Sequence, residues 1–221
     1  MMQAVIFDMD GTLIDSEPMW KEAERDIFSS VGVDVRDELA ANTASMTTRE
    51  VTEFWYRHFP WSGKSLQQVE NEVVDRVARL ISEKGAPMEG VSEILSFFES
   101  KNFKIGLSTN APYRLIHVVL KKLGISNYFH AISSSEHEIK GKPHPAVYLS
   151  TAKKLKVDPS KCVAFEDSLS GIIAASKANI KTVVVPPILE FTNKKYEISH
   201  LKLRRLSDFT DVHLEQIANC A

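Results

Sequence analysis

Short, continuously apolar runs alternate along this chain with stretches in which apolar residues recur every third or fourth position. The first run, Ala4-Val5-Ile6-Phe7, is too short for a helix and predicts a buried strand over 3–8. From Ser16 to about Gly85 the period is helical. Trp20, Ala23, Ile27 and Val31 share one face, with Gly32 as a stop. Thr47 with Glu50, ahead of Val51, Phe54 and Trp55, has capping-box spacing, and Pro60 closes that helix. Ser65 with Gln68 repeats the signal ahead of Leu66, Val69, Val73, Val77 and Leu80, with Gly85 as the stop. A stretch of about 70 residues without a strand is large enough for a small helical domain.

Beyond residue 86 the pattern alternates. Helices are predicted over 91–101, from Pro112 to Gly124, from Pro145 to just before Asp158-Pro159, and from Ser168. Strands are predicted over 103–108, 129–133, 162–165 and 182–185. Apolar strands separated by helices imply a mostly parallel sheet covered on both faces. The first strand belongs with this half. The expected fold is therefore α/β: a Rossmann-like parallel-sheet core formed by residues 1–15 and 86–221, with an α-helical cap inserted over 16–85.

Composition narrows the function. Of 221 residues, 27 are Lys or Arg and 29 Asp or Glu, so there is no basic excess of the kind that nucleic-acid and membrane-surface binders carry. The two cysteines, Cys162 and Cys220, do not make a disulfide framework, and a reducing cytoplasm is the expected setting. No apolar run approaches the roughly 20 residues of a membrane helix, and Asp8 and Asp10 interrupt the apolar start, unlike a signal peptide.

In open α/β sheets ligands bind beyond the carboxyl ends of the strands. Four such ends carry polar chemistry: Asp8 with Asp10, Ser108-Thr109-Asn110, Lys142 in a nearby loop, and Glu166-Asp167. Paired carboxylates behind a buried strand are costly unless they are put to use. Phosphoryl transfer uses them well. Asp8 can attack phosphorus, and Asp10 can protonate the leaving oxygen and then activate water. A carboxylate and a phosphate repel one another, so a cation is required. Asp8 and Asp167, with waters and the Asp10 carbonyl, suit Mg²⁺; Glu166 either supports this set or touches the ion through water. Lys142 adds a fixed positive charge. Thr109 and Asn110 precede a helix N-terminus, which favours an anion, and Gly11 permits close backbone approach to phosphate. Arg49 is a candidate to reach the substrate phosphate or hydroxyls. Trp20, Trp55 and Trp61 are expected mainly to pack the helical segment, and His144 to be structural.

The string FDMDGTLIDSEP resembles the first motif of the haloacid dehalogenase superfamily. Thr109-Asn110 matches its second motif, Lys142-Pro143 its third, and Phe165-Glu166-Asp167-Ser168 with Gly171 its fourth. The resemblance implies Asp8 as nucleophile, Asp10 as acid/base, Thr109 and Lys142 on phosphate, and Asp167 on the metal, with the helical insertion as a substrate-selecting cap. The strings DSEPMW, FWYRHFPW, KPHPAVYL and FEDSLSGIIAASKA resemble sugar phosphatases of the hexitol phosphatase type. They imply Mg²⁺-dependent hydrolysis of a small phosphorylated sugar or sugar alcohol, such as 2-deoxyglucose 6-phosphate or a hexitol phosphate; a cytoplasmic protein acting as a monomer is expected. One rival is a phosphosugar mutase of the β-phosphoglucomutase type, which resembles this chain in all four motifs but carries a cap histidine where Trp20 stands. A dehalogenase would give Asp10 no role. A phosphoryl-accepting receiver domain would carry its Asp after the third strand and lack the helical insertion.

Overall fold

Four consecutive apolar residues need a sheet position covered on both faces, and in the computed structural model Ala4–Phe7 form a fully buried central strand, β1. The structure describes residues 1–43 and 46–220. Beside β1 lie β2 (Lys104–Thr109) and β3 (Ala131–Ser134) on one side. On the other lie β4 (Cys162–Glu166), β5 (Lys181–Val184) and β6 (Leu201–Lys202). All six are parallel, in the order β3-β2-β1-β4-β5-β6. This doubly wound order leaves a crevice at the strand carboxyl ends where the winding reverses, beside β1 and β4. Phe7 is in register with Leu107 and Phe165, so the residues that follow these three, Asp8, Ser108 and Glu166, arrive side by side.

The helices are α1 (Glu17–Ser30), the single turn α2 (Asp37–Ala40), α3 (Thr48–His58), α4 (Leu66–Lys84), α5 (Val91–Ser100), α6 (Tyr113–Leu123), α7 (Ala146–Leu155), α8 (Leu169–Lys177) and α9 (Asp211–Asn219). The strand alternation sorts the core. Val5 and Phe7 face α5 and α6, whereas Ala4 and Ile6 face α7 and α8. Phe7 stacks on Phe165 at 5.1 Å between ring centroids, and Phe98 and Phe209 close the same aromatic cluster. Each such ring contributes about 1.5–3 kcal/mol of burial.

α1 to α4 follow β1 directly and pack mainly on one another. Their apolar cluster, with Phe28, Trp55, Trp61, Val69 and Val73, is nevertheless continuous with that of the sheet face under α5 and α6. α4 lies against α6, and Arg114 of α6 pairs with Asp75 of α4. Both predicted capping boxes form, at Thr47 and Ser65. Trp55 and Trp61 pack against Phe28. The strand predicted over 129–133 is shorter, because 126–128 turn as a 3-10 helix. β6 and α9 were not predicted: a two-residue strand offers no alternation to read. Among the described residues, no helix is long and apolar enough to cross a membrane.

Candidate active site

The end of β1 turns sharply. Gly11 takes φ +76°, and Leu13 N and Ile14 N both return to Met9 O, so Asp8 and Asp10 project before the chain leaves for α1. Asp8 is buried, its amide held by Phe165 O at 2.9 Å. Lys142, only 5% exposed, comes in from the loop between β3 and α7. Its ammonium donates to Asp8 Oδ1, to Ser108 O at 2.9 Å and to Glu166 Oε1 at 2.6 Å, which uses all three of its protons. Burial pulls Lys142 down, but Asp8 and Glu166 together outweigh it and hold the ammonium charged.

Glu166 is fully buried. Besides Lys142, it accepts from Tyr148 OH at 2.5 Å and from Ser168 Oγ at 3.1 Å. Burial, then the charges of Glu166 and Asp8, raise Tyr148 well above its ordinary range, so it stays a donor. Space for this carboxylate comes from Gly171, where a Cβ would lie 1.9 Å from Glu166. Glu166 thus holds Lys142 in place from behind.

Asp10 is set by the start of α1. Its Oδ1 accepts from Ser16 Oγ at 2.6 Å and from Trp20 Nε1 at 2.9 Å, and Thr109 Oγ1 lies 3.5 Å from Oδ2. Ser16 occupies the N-cap position of α1 without capping it, because its hydroxyl is committed to Asp10. Thr109 Oγ1 also accepts from Ala111 N at 3.0 Å. Asn110 is turned to the lysine loop: its Oδ1 accepts from Lys142 N at 2.8 Å and Ser135 Oγ at 2.7 Å. The N-cap of α3 reaches the same loop, where a Cβ on Gly141 would meet Thr47 Cγ2 at 2.7 Å and Asn110 Oδ1 at 2.9 Å.

Among the described residues, the carboxylates close enough to share an ion are Asp8, Glu166 and Asp167, with oxygens within 4.8 Å of one another. An all-oxygen set suits a hard divalent cation. The electrostatics fit one too. With protein groups alone, burial pushes Asp8 up to about 8 against the pull of Lys142, and burial followed by the charges of Asp8 and Glu166 raises Asp167 well above the carboxylate range. Asp167 also fills the space a Cβ on Gly11 would need, at 2.2 Å, so Gly11 makes room for this carboxylate. The Asp10 carboxylate stands outside the cluster, and only its carbonyl is left for an ion.

Arg49 is not drawn toward the lysine loop. Its guanidinium engages Glu53 at 2.9 Å and Gln67 at 3.3 Å, with Glu70 at 3.9 Å, all on α3 and α4. Tyr148, Ser16 and the Trp20 indole are the site members that sequence reasoning missed. In the sequence Ser16 marks only where the helical stretch begins, Trp20 is expected mainly to pack, and Tyr148 lies within the helix predicted from Pro145 with no role of its own. Together the groups can present one buried carboxylate to an electrophile, hold a second one beside it, and neutralise an anion.

The chain matches the haloacid dehalogenase-like hydrolase family over residues 2–179. It is 38% identical over 209 residues to hexitol phosphatase B of Escherichia coli K12, covering 94% of both chains. It is 35% identical over 182 residues to a phosphorylated carbohydrates phosphatase of Thermotoga maritima, covering 82% of this chain and 84% of that one. The crystal structure of β-phosphoglucomutase from Clostridium difficile superposes with a TM-score of 0.85 at 26% identity, covering 99% and 98% of the two chains. The four strand ends therefore converge in a fold and sequence shared along nearly the whole chain, and the chain belongs to the haloacid dehalogenase-like hydrolases.

Proposed function

We propose that this hydrolase is a Mg²⁺-dependent phosphatase acting on small phosphorylated sugars or sugar alcohols, with α1–α4 as a cap over the substrate. The observation that carries the reading is the buried Asp8 at the end of β1, held by Lys142 beside the Glu166-Asp167 pair. Lys142 occupies Oδ1, which leaves Oδ2 to attack phosphorus. The P–O ester bond breaks as Asp10 gives its proton to the departing alkoxide, leaving an aspartyl-phosphate on Asp8. Asp10 then takes a proton from water. That water's oxygen attacks the same phosphorus, the bond to Asp8 breaks, and inorganic phosphate leaves. Ser16 and Trp20 keep the Asp10 carboxylate aimed through both transfers. Lys142, with Thr109 and the amides near Asn110, offsets charge on the phosphoryl oxygens. Mg²⁺ on Asp8 and Asp167, with the Asp10 carbonyl, would neutralise the repulsion between carboxylate and phosphate.

The likeness to hexitol and carbohydrate phosphatases supports a polyol or sugar phosphate as substrate. The likeness to a phosphoglucomutase supports the same substrate chemistry. Trp20, however, stands where mutases of that type carry a histidine, and this favours hydrolysis. Asp8→Asn should lower phosphate release from p-nitrophenyl phosphate and a hexitol phosphate by about a thousandfold or more, about 4 kcal/mol of transition-state stabilisation. Wild-type turnover in that variant would refute the nucleophile. Turnover that required a sugar bisphosphate and released no phosphate would point to a mutase.

A further inference from the structure

α1 presents three kinds of surface. Met19, Ala23 and Phe28 enter the core, while Glu22 and Asp26 pair with Arg76 of α4. A further row, Ser16, Trp20 and Glu24, runs at four-residue spacing along the helix. Its first two members bind the Asp10 carboxylate. The third lies one turn farther along, about 6 Å beyond Trp20.

Glu24 is half-buried, and no hydrogen bond or ion pair reaches it among the described residues. Burial alone pushes its carboxyl up to about 7, with no neighbouring charge to hold it down. Its surroundings contrast with those of the other acidic residues of α1: Glu17 pairs with Lys21, and Glu22 and Asp26 pair with Arg76. A half-buried carboxylate without a protein partner loses part of its hydration, which is a cost to the fold. It is also a ready acceptor for a ligand group that brings its own donors.

We propose that Glu24 is a specificity residue that receives the hydroxyl groups of the substrate on the side of Asp10 away from the phosphate. Ser16 and Trp20 fix the acid/base group, and Glu24 continues their row toward the part of a polyol phosphate remote from phosphorus. Adjacent hydroxyls donate to its two oxygens, and the partner missing in the free protein is supplied by the substrate. A site built to pair hydroxyls discriminates strongly against substrates that lack them. This inference rests on the sugar-phosphatase reading.

The test compares kcat/KM for a hexitol phosphate and for p-nitrophenyl phosphate, which has no hydroxyls, in wild type, Glu24→Ala and Glu24→Gln. The selectivity ratio is expected to fall about tenfold or more in Glu24→Ala, mainly through KM, with a smaller fall in Glu24→Gln, which keeps one acceptor oxygen. At pH 8 neither variant should melt below wild type. An unchanged ratio in both variants would overturn the proposal. A parallel loss on both substrates with a lowered Tm would overturn it as well, by making Glu24 a structural support of α1. Wild-type protein that cleaves p-nitrophenyl phosphate but no sugar or hexitol phosphate would instead defeat the substrate reading, and this proposal with it.

Discussion

An unpaired carboxylate has a signature in stability as well as in binding. The Glu24 carboxyl titrates near 7 in the fold against 4.5 in the unfolded chain, so the folded state holds that proton more tightly. Stability from this group is therefore complete below about pH 4.5, falls as pH rises toward 7, and falls no further above it. The loss is on the order of 2–3 kcal/mol after solvent screening. Glu24→Gln removes the group, so it should melt about 5 °C above wild type at pH 8 and close to it at pH 4.5. Identical pH dependence of Tm in the two proteins would show that Glu24 carries no such penalty. Asp8, Asp10, Lys142 and Asp167 were legible in the sequence because each is a charge at the end of an apolar strand or in a motif of fixed order. Their supports were not. Tyr148 lies among Val147, Thr151, Ala152 and Leu155, where periodicity reads core, and only the fold reveals its hydroxyl on Glu166. Gly171 was visible as a motif residue, but its reason, clearance for that same carboxylate, is steric and non-local.

Helix entry separates two uses of one residue type. Ser65 caps α4, accepting from Gln68 N, while Gln68 returns to Ser65 N. Ser16 stands at the equivalent place on α1 and gives its hydroxyl to Asp10 instead. Ser65→Ala should therefore cost about 1 kcal/mol, a fall in Tm of about 2–4 °C, because a helix loses its cap. Ser16→Ala should lower kcat on every substrate, because Asp10 loses a 2.6 Å donor, without an equivalent loss of capping. Paired melts and kinetics decide it. A stability loss in Ser16→Ala as large as that in Ser65→Ala, with kcat unchanged, would make Ser16 a simple cap. The capping boxes and the central strands could be read from sequence because their signals are local: a three-residue spacing, or an unbroken apolar run. β6 could not, since a two-residue segment shows no alternation and Leu201 and Lys202 become a strand through pairing with Val183 and Val184.

The whole molecule works by bringing distant charge together. The strand order sets residues 8, 108–110 and 166–167 at one edge, and the loop before α7 delivers Lys142 there. One lysine faces three carboxylates, Asp8, Glu166 and Asp167, whose oxygens lie within 4.8 Å of one another. At about 4 Å two like charges repel by roughly 1 kcal/mol in water and about 4 in a partly buried site. A divalent cation that binds the folded edge and not the dispersed carboxylates of the unfolded chain must then stabilise the protein by mass action. The gain is about 2.7 kcal/mol at a hundredfold excess over Kd, or about 5–10 °C in Tm for a chain of this size. Mg²⁺ should raise the Tm of the wild-type protein by that order and EDTA should reverse it. In Asp167→Asn the shift should largely vanish. In EDTA that variant should melt no lower than wild type, because without an ion burial and the neighbouring carboxylates keep the Asp167 carboxyl protonated, so the amide replaces a neutral acid. An undiminished Mg²⁺ shift in Asp167→Asn would place the cation elsewhere. A loss of stability in EDTA would mean that Asp167 holds the fold together through Gly11 and not through an ion.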